Sequence, residues 1–235
     1  GKTWKLITKG IDKMHFTRVV RADKKRPGLL YAGTEYGMYI SYDFGENWRK
    51  FQLNLPVVPV TDMTIKNNDL VVATQGRSFW ILDDLSIIQG KKEDCLSSRL
   101  YVFPVNDAYR TEGHVDSNIR NGGINPPNGV VFNYYIGGPD SIATSVTIFD
   151  KQKNAIKTFS KNGTGKQDKL EYKTGMNRFV WDTHYEAGEK IEGLILWHGI
   201  PGGPKASPGK YYARFRYGKD SVEVPFTIKG DPNYK

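Results

Sequence analysis

The residues with the greatest chemical capacity lie in two short turn-like stretches, Thr34-Glu35-Tyr36 and Thr74-Gln75-Gly76-Arg77. An arginine near an acid and an aromatic ring suits recognition of a carboxylate, a sugar or a peptide. The guanidinium forks onto paired oxygens, and the ring covers an apolar face. Glu35, Tyr36, Gln75 and Arg77 are therefore the candidate ligand-binding residues, although the same types also serve as ordinary hairpin residues. No catalytic set accompanies them. Glycosidic hydrolysis usually needs two facing carboxylates, or a tyrosine nucleophile with an acid and an arginine cluster. The acids of residues 1–93 are scattered and no arginine cluster is visible. The adjacent pair Asp83-Asp84 reads as a source of turn hydrogen bonds, since neighbours along a strand point to opposite faces.

The remaining reactive types are sparse. His15, His114, His184 and His198 share no metal-ligand spacing, which predicts no zinc site, and no residue calls for a cofactor. The single Cys95 excludes an intrachain disulfide. Trp197-His198, ahead of Gly199-Ile-Pro-Gly-Gly203, suits either a binding loop or an aromatic packed over a glycine-rich turn. Asn162-Gly163-Thr164 fits a glycosylation acceptor in a host that uses one. Net charge is +9, but residues 1–93 hold 15 Lys+Arg against 10 Asp+Glu and residues 94–235 hold 19 against 15. An excess split as +5 and +4 describes a mildly basic surface and argues against a nucleic-acid partner. No run reaches the ~18–20 apolar residues of a membrane span.

The elements that must position these residues are strands. Aromatics at 13%, with Gly 25 and Pro 12, favour an all-β chain rich in turns. Strand signals cover Lys5–Ile7, His15–Ala22, Leu29–Gly33, Gly37–Ser41 and Trp48–Leu53, then Val60–Lys66, Asp69–Ala73 and a strand around Ser78–Trp80. The second group repeats the first at an offset of 40 residues, setting Thr34 with Thr74, Met38-Tyr39-Ile40 with Ser78-Phe79-Trp80, and Asp43 with Asp83. Gln89–Ser98 is polar and patternless. Residues 94–128 are expected as a linker with a short strand near Leu100 and a long loop over Arg110–Pro127. From Gly129 onward, strands over 130–136, 145–149, 155–159, 177–181, 209–217 and 221–228 suggest a β-sandwich, with Trp181 as its buried plug and Pro208-Gly209 launching a core strand.

One stretch organises the first half: Ser41-Tyr42-Asp43-Phe44-Gly45-Glu46-Asn47-Trp48. The Asp43 carboxylate can accept backbone N–H groups two or three residues on. Gly45 suits a positive φ, and Trp48 supplies a large apolar face. The pattern Ser41, Asp43, Gly45, Trp48 resembles the Asp-box (BNR) repeat of sialidase-like and sortilin-like β-propellers. Gly1-Lys2-Thr3-Trp4 matches the last positions of the same motif 44 residues earlier, so the chain is expected to be the tail of a longer protein. Gly175–Asp182, with Ser207-Pro208-Gly209-Lys-Tyr211-Tyr212, is similar to the Ig-like domain that follows bacterial sortilin-like propellers and to that of flagellar hook-capping proteins.

These resemblances imply a partial Asp-box propeller (its last blades, residues 1–93), the linker 94–128, and an immunoglobulin-like β-sandwich over 129–235. They imply an exported bacterial protein located in the extracellular space, the periplasm or the cell surface, and a non-catalytic propeller that binds a glycan or peptide. The remaining blades or another chain are expected to cover residues 1–93. The alternative is a sialidase-like glycoside hydrolase whose catalytic residues lie upstream. In such propellers the Asp box sits on the face away from the binding site, so the hairpins carrying Glu35, Tyr36, Gln75 and Arg77, with Asn54-Leu55-Pro56, line the opposite end. The sortilin receptors carry a Cys-rich module after the propeller, whereas this chain has one cysteine.

Overall fold

The computed structural model describes residues 2–92, 95–111, 127–163, 168–188 and 203–232. Their regular structure is almost wholly β, with one short helix, α1 (Ser86–Gly90). The chain divides into two compact units, residues 1–89 and 90–235. Among the described residues no helix is long and apolar enough to cross a membrane.

The first unit holds two antiparallel sheets. One runs in chain order through β1 (Thr17–Ala22), β2 (Leu30–Thr34), β3 (Gly37–Ser41) and β4 (Arg49–Lys50). The other contains β5 (Val60–Lys66), β6 (Asp69–Thr74) and β7 (Phe79–Leu82). Side chains alternate across a strand, and one set from each sheet forms a shared core: Val19, Tyr31, Met38 and Ile40 pack with Val60, Met63, Ile65, Leu70 and Val72. Gly33 marks the closest approach, where a Cβ would lie 2.5 Å from Val60 Cγ1 and 2.8 Å from Val19 Cγ1. The other face of the first sheet is covered by Trp48, which clusters with Ala32 and Tyr39. The outer face of the second sheet leaves Phe79 and Ile81 76% and 61% exposed.

The two sheets repeat one another in detail. β1 and β5 carry a register shift at the same point, between Thr17 and Val19 and between Val60 and Asp62. The Thr34 hydroxyl donates across its hairpin to the Gly37 carbonyl at 2.9 Å, and the Thr74 hydroxyl to that of Ser78 at 2.6 Å. The Glu35 N–H donates to the Phe16 carbonyl at 3.3 Å, and the Gln75 N–H to the Pro59 carbonyl at 2.9 Å. The offset of 40 holds to Thr74 and then slips. Tyr39 lies opposite Ala32, whereas the residue opposite Val72 is Trp80, not Phe79. The second hairpin is longer by one residue, with Gly76 at φ 82°. A slip of one residue exchanges the two faces of a strand, so Trp80 packs on the core and Phe79 points outward.

Three further expectations are corrected. Lys5–Ile7 is not a strand, because no sheet strand among the described residues pairs with it; the Ile7 carbonyl accepts the Trp48 indole N–H at 2.7 Å instead. The strand expected over Trp48–Leu53 shrinks to Arg49–Lys50, since Leu53 turns to φ 45° and the Gln52 amide donates to the Leu55 and Pro56 carbonyls. Gln89 and Gly90 belong to α1, ahead of which the Asp84 carboxylate accepts the Ser86 N–H at 3.0 Å.

The second unit places two sheets over one core. The smaller has the order β13 (Gly175–Trp181), β10 (Val130–Ile136), β8 (Leu100–Val102). The larger has the order β12 (Ala155–Ser160), β11 (Thr144–Phe149), β14 (Gly209–Tyr217), β15 (Asp220–Gly230), β9 (Ala108–Arg110). Phe132, Tyr134 and Ile136 meet Val146, Ile148, Ala213, Phe215, Phe226 and Ile228 between them. Trp181 is fully buried, with the Tyr211 and Phe226 rings 6.1 and 6.0 Å away. β8 is the short strand expected near Leu100 and pairs with Tyr134–Ile136, whereas β9 falls inside the stretch expected as linker and runs parallel to the end of β15. β9 is three residues long, too short for alternation to register in a sequence. Most of the expected loop over Arg110–Pro127 lies outside the described residues, as do His114, Thr164, Trp197 and His198.

Candidate functional site

Antiparallel pairing sets Thr17 opposite Thr34, so the start of β1 lies beside the β2–β3 hairpin. This brings His15, Phe16 and Arg18 to Glu35 and Tyr36. The His15 and Tyr36 rings stack with centroids 4.6 Å apart and planes 22° off parallel. His15 Nδ1 and the Tyr39 hydroxyl share a hydrogen bond of 2.9 Å, which fixes the imidazole from below. The Glu35 carboxylate receives Arg18 Nε in an ion pair, and the Arg18 guanidinium lies 5.6 Å from the Phe16 ring centroid. Such a pair near solvent stabilises the fold by only about 0–1 kcal/mol, so its consequence is orientation of the charges. Phe16 and Tyr36 are 62% and 47% exposed. Two open rings thus flank a fixed pair of opposite charges.

Gln75 and Arg77 occupy the matching hairpin on the second sheet. The Arg77 carbonyl accepts the Trp80 indole N–H at 2.9 Å, and its side chain is exposed. Among the described residues no ion pair engages the Arg77 guanidinium, and no hydrogen bond links Gln75 or Arg77 to Glu35 or Tyr36. The sequence-derived residues are therefore two on each hairpin: Glu35 and Gln75 are at equivalent positions, whereas Arg77 belongs to the lengthened part of the second hairpin. His15, Phe16 and Arg18 were missed. The signal that could have found them is the pairing of Thr17 with Thr34, which follows once the strand before the hairpin is given its register.

The opposite end of the first sheet holds a different arrangement. β3 runs from the Gly37 end to Ser41, where the chain enters the turn to Trp48. The Ser41 hydroxyl donates to Asp43 Oδ1 at 2.8 Å and accepts the Gly45 N–H at 2.9 Å. The Asn47 N–H reaches Asp43 Oδ1 at 2.9 Å, and its side-chain amide reaches Oδ2 at 2.7 Å. The carboxylate therefore clasps Asn47 four residues on, a reach longer than the two or three residues expected. Gly45 has the expected positive φ, at 88°. The hydrogen bonds from Asn47, with that from Ser41, pull the Asp43 carboxyl down to about 2. With both oxygens occupied, this acid is a turn clasp and not a proton donor. Asp150 holds Asn154 in the same way, through the N–H at 2.9 Å and the amide at 2.9 Å, and its carboxyl is also lowered. Asp84 is likewise engaged locally, donating its N–H to Asp69 Oδ1 at 2.8 Å.

The sign of the acid response follows. A carboxyl whose folded pKa lies below its unfolded value of about 3.9 contributes stability that is present above that value and lost as pH falls toward the folded one. Acid titration is expected to destabilise residues 1–89 between about pH 4 and pH 2. In Asp43→Asn the unit should be less stable at neutral pH and its acid response shallower, as followed by circular dichroism. An unchanged response would assign the acid loss to other carboxyls.

Among the described residues no group of three or more His, Cys, Asp or Glu side chains is placed to hold a metal ion. No family model matches the sequence, and no curated protein matches it. Solved structures do, among them two from B. thetaiotaomicron: an extracellular domain described as that of a one component system (10% identity, TM-score 0.26) and one described as that of a hybrid two component system (11% identity, TM-score 0.27). Each match covers 92% of this chain and 25% of the other, so the chain spans about a quarter of their length.

Proposed function

We propose that this chain is the non-catalytic binding part of an exported protein, in which the first unit forms the end blades of a sortilin-like Asp-box propeller and the second an Ig-like docking sandwich. The observation that carries the binding role is the hairpin end of the first sheet. There Tyr36, stacked on His15, and Phe16 present open rings beside the Arg18–Glu35 pair, while the clasped Asp43 turn occupies the other end. Rings with fixed charges suit a glycan or a peptide, since both offer an apolar face edged with hydrogen-bonding groups. The exposed Arg77 guanidinium adds a fork for a carboxylate or paired hydroxyls.

The propeller reading is supported by the shared bulge and the shared threonine hairpin lock of the two sheets. It is supported also by their stacking, in which the front of one sheet packs on the back of the next. The exposed front of β5–β7, with Phe79 and Ile81, is where the remaining blades or another chain would pack.

The test is a glycan and peptide array on the intact protein, with variants compared at matched folded fraction. Arg77→Ala is expected to weaken binding by about tenfold or more, the loss of a charged hydrogen bond costing about 1.5–3 kcal/mol, and Tyr36→Ala to weaken it by removing the ring face. Asp43→Asn is expected to leave affinity unchanged. Loss in Asp43→Asn alone would place the working face at the other end.

A further inference from the structure

The second unit contains a cleft of about 130 Å³ where β9, the residues leading into β10 and those leaving β13 come together. Its lining includes Tyr109, Thr111, Asn128, Asp182, His184 and Lys205. We propose that this cleft is a second binding site, for a small carboxylate-bearing molecule of monosaccharide size. Sites for drug-sized ligands run to about 300–1,000 Å³, so the volume suits a single ring.

The backbone beneath the cleft is held where its own residue type resists. Thr183 is 2% exposed and has φ of 67°, a left-handed conformation that β-branched residues avoid. Its surroundings hold it there. The Ala206 N–H donates to the Thr183 carbonyl at 2.7 Å, the Trp181 indole to the His184 carbonyl at 3.0 Å, and the His184 N–H to Asp182 Oδ1 at 3.1 Å. Gly129 crosses close by; a Cβ there would sit 2.1 Å from the Trp181 carbonyl oxygen. Strain maintained in this way gathers at ligand sites, where it fixes the direction of neighbouring side chains. Here the reversed turn sets Asp182 and His184 side by side, with Oδ2 3.3 Å from Nδ1.

The charges favour an anion. The half-buried Lys205 ammonium donates to the Thr111 carbonyl at 2.6 Å. That bond orients the cation without neutralising it and uses one of its three donors. Among the described residues no carboxylate pairs with Lys205, and the neighbouring Asp182 carboxylate is taken by His184. The Thr111 hydroxyl donates to Asn128 Oδ1 at 3.1 Å, fixing a further polar group at the rim. A carboxylate placed at Lys205 accepts its remaining donors, and a sugar ring carrying it can lie along the exposed Tyr109, where a ring hydroxyl can donate to the outer nitrogen of His184. Charge-assisted hydrogen bonds of this kind are about twice as strong as neutral ones.

The experiment is a titration of the full chain, followed by amide chemical shifts, with galacturonate, galactose and inorganic phosphate as separate probes. Galacturonate is expected to bind saturably with a Kd of about 1 mM and to shift Thr111, Thr183 and His184. Galactose, which lacks the carboxylate, should bind about tenfold more weakly or not at all. Lys205→Met should lower galacturonate affinity about tenfold or more at an unchanged melting temperature. If that variant melts lower, Lys205→Arg keeps the charge and must retain binding. The proposal is overturned by equal binding of galactose, by phosphate binding more tightly than galacturonate, by Lys205→Met binding normally, or by no shifts at about 10 mM galacturonate.

Discussion

Trp181→Ala is expected to lower the melting temperature of residues 90–235 by about 10 °C, the equivalent of about 3–5 kcal/mol. The indole is fully buried, lies about one ring-width from Tyr211 and Phe226, and donates its N–H to the His184 carbonyl. Truncation leaves a cavity among the buried rings, and it removes the donor to a carbonyl next to the left-handed Thr183. The binding cleft should lose its shape in the same variant. Trp48→Ala is expected to act on residues 1–89 instead, releasing the Ile7 carbonyl and exposing Ala32 and Tyr39. Calorimetry separates the outcomes. If each variant lowers both transitions equally, the two units melt as one.

The second large effect is expected from adding atoms and not from removing them. Gly33→Val places methyl groups where the two sheets of the first unit already touch, within 3 Å of Val60 and Val19 carbons. Overpacking a core typically costs about 1–3 kcal/mol; a branched side chain at this point is expected to reach the upper end, about 3 kcal/mol. The urea midpoint should fall with little change in slope. Val60→Ala in the same chain should restore part of the loss, because it vacates the space that the new methyls need. A double variant no better than the sum of the two single ones would show that the sheets are not in register at Gly33.

Much of this architecture was legible in the sequence. Val130–Ile136 and Gly209–Tyr217 were read to the residue, because the first is a near-continuous apolar run and the second an alternating one, each bounded by glycine or proline. β9 was not, since its three residues are strand only through parallel pairing with the far end of the chain. The repeat was visible as an offset of 40, yet the extra residue in the second hairpin reversed the facing of Phe79 and Trp80. Only cross-strand register reveals such a slip, and register is a property of two strands together. For the candidate site, Glu35 and Tyr36 stood out because a hairpin tip exposes what it carries. His15, Phe16 and Arg18 join them through pairing alone. Thr183 gave no signal at all, because its conformation runs against the preference of its type.

The two carboxylate clasps have a consequence for how the chain folds. Asp43–Asn47 and Asp150–Asn154 each close over four residues, whereas the Trp48 indole must find a carbonyl 41 residues away. Loop-closure entropy rises with the length of chain enclosed, and contacts between near neighbours form in well under a microsecond while distant ones wait. The clasps can therefore set the direction of both hairpins before either sheet exists. Asp43→Asn is expected to slow folding of its unit, and Trp48→Ala chiefly to speed unfolding, so the acids at these turns time the search while the tryptophans hold its result.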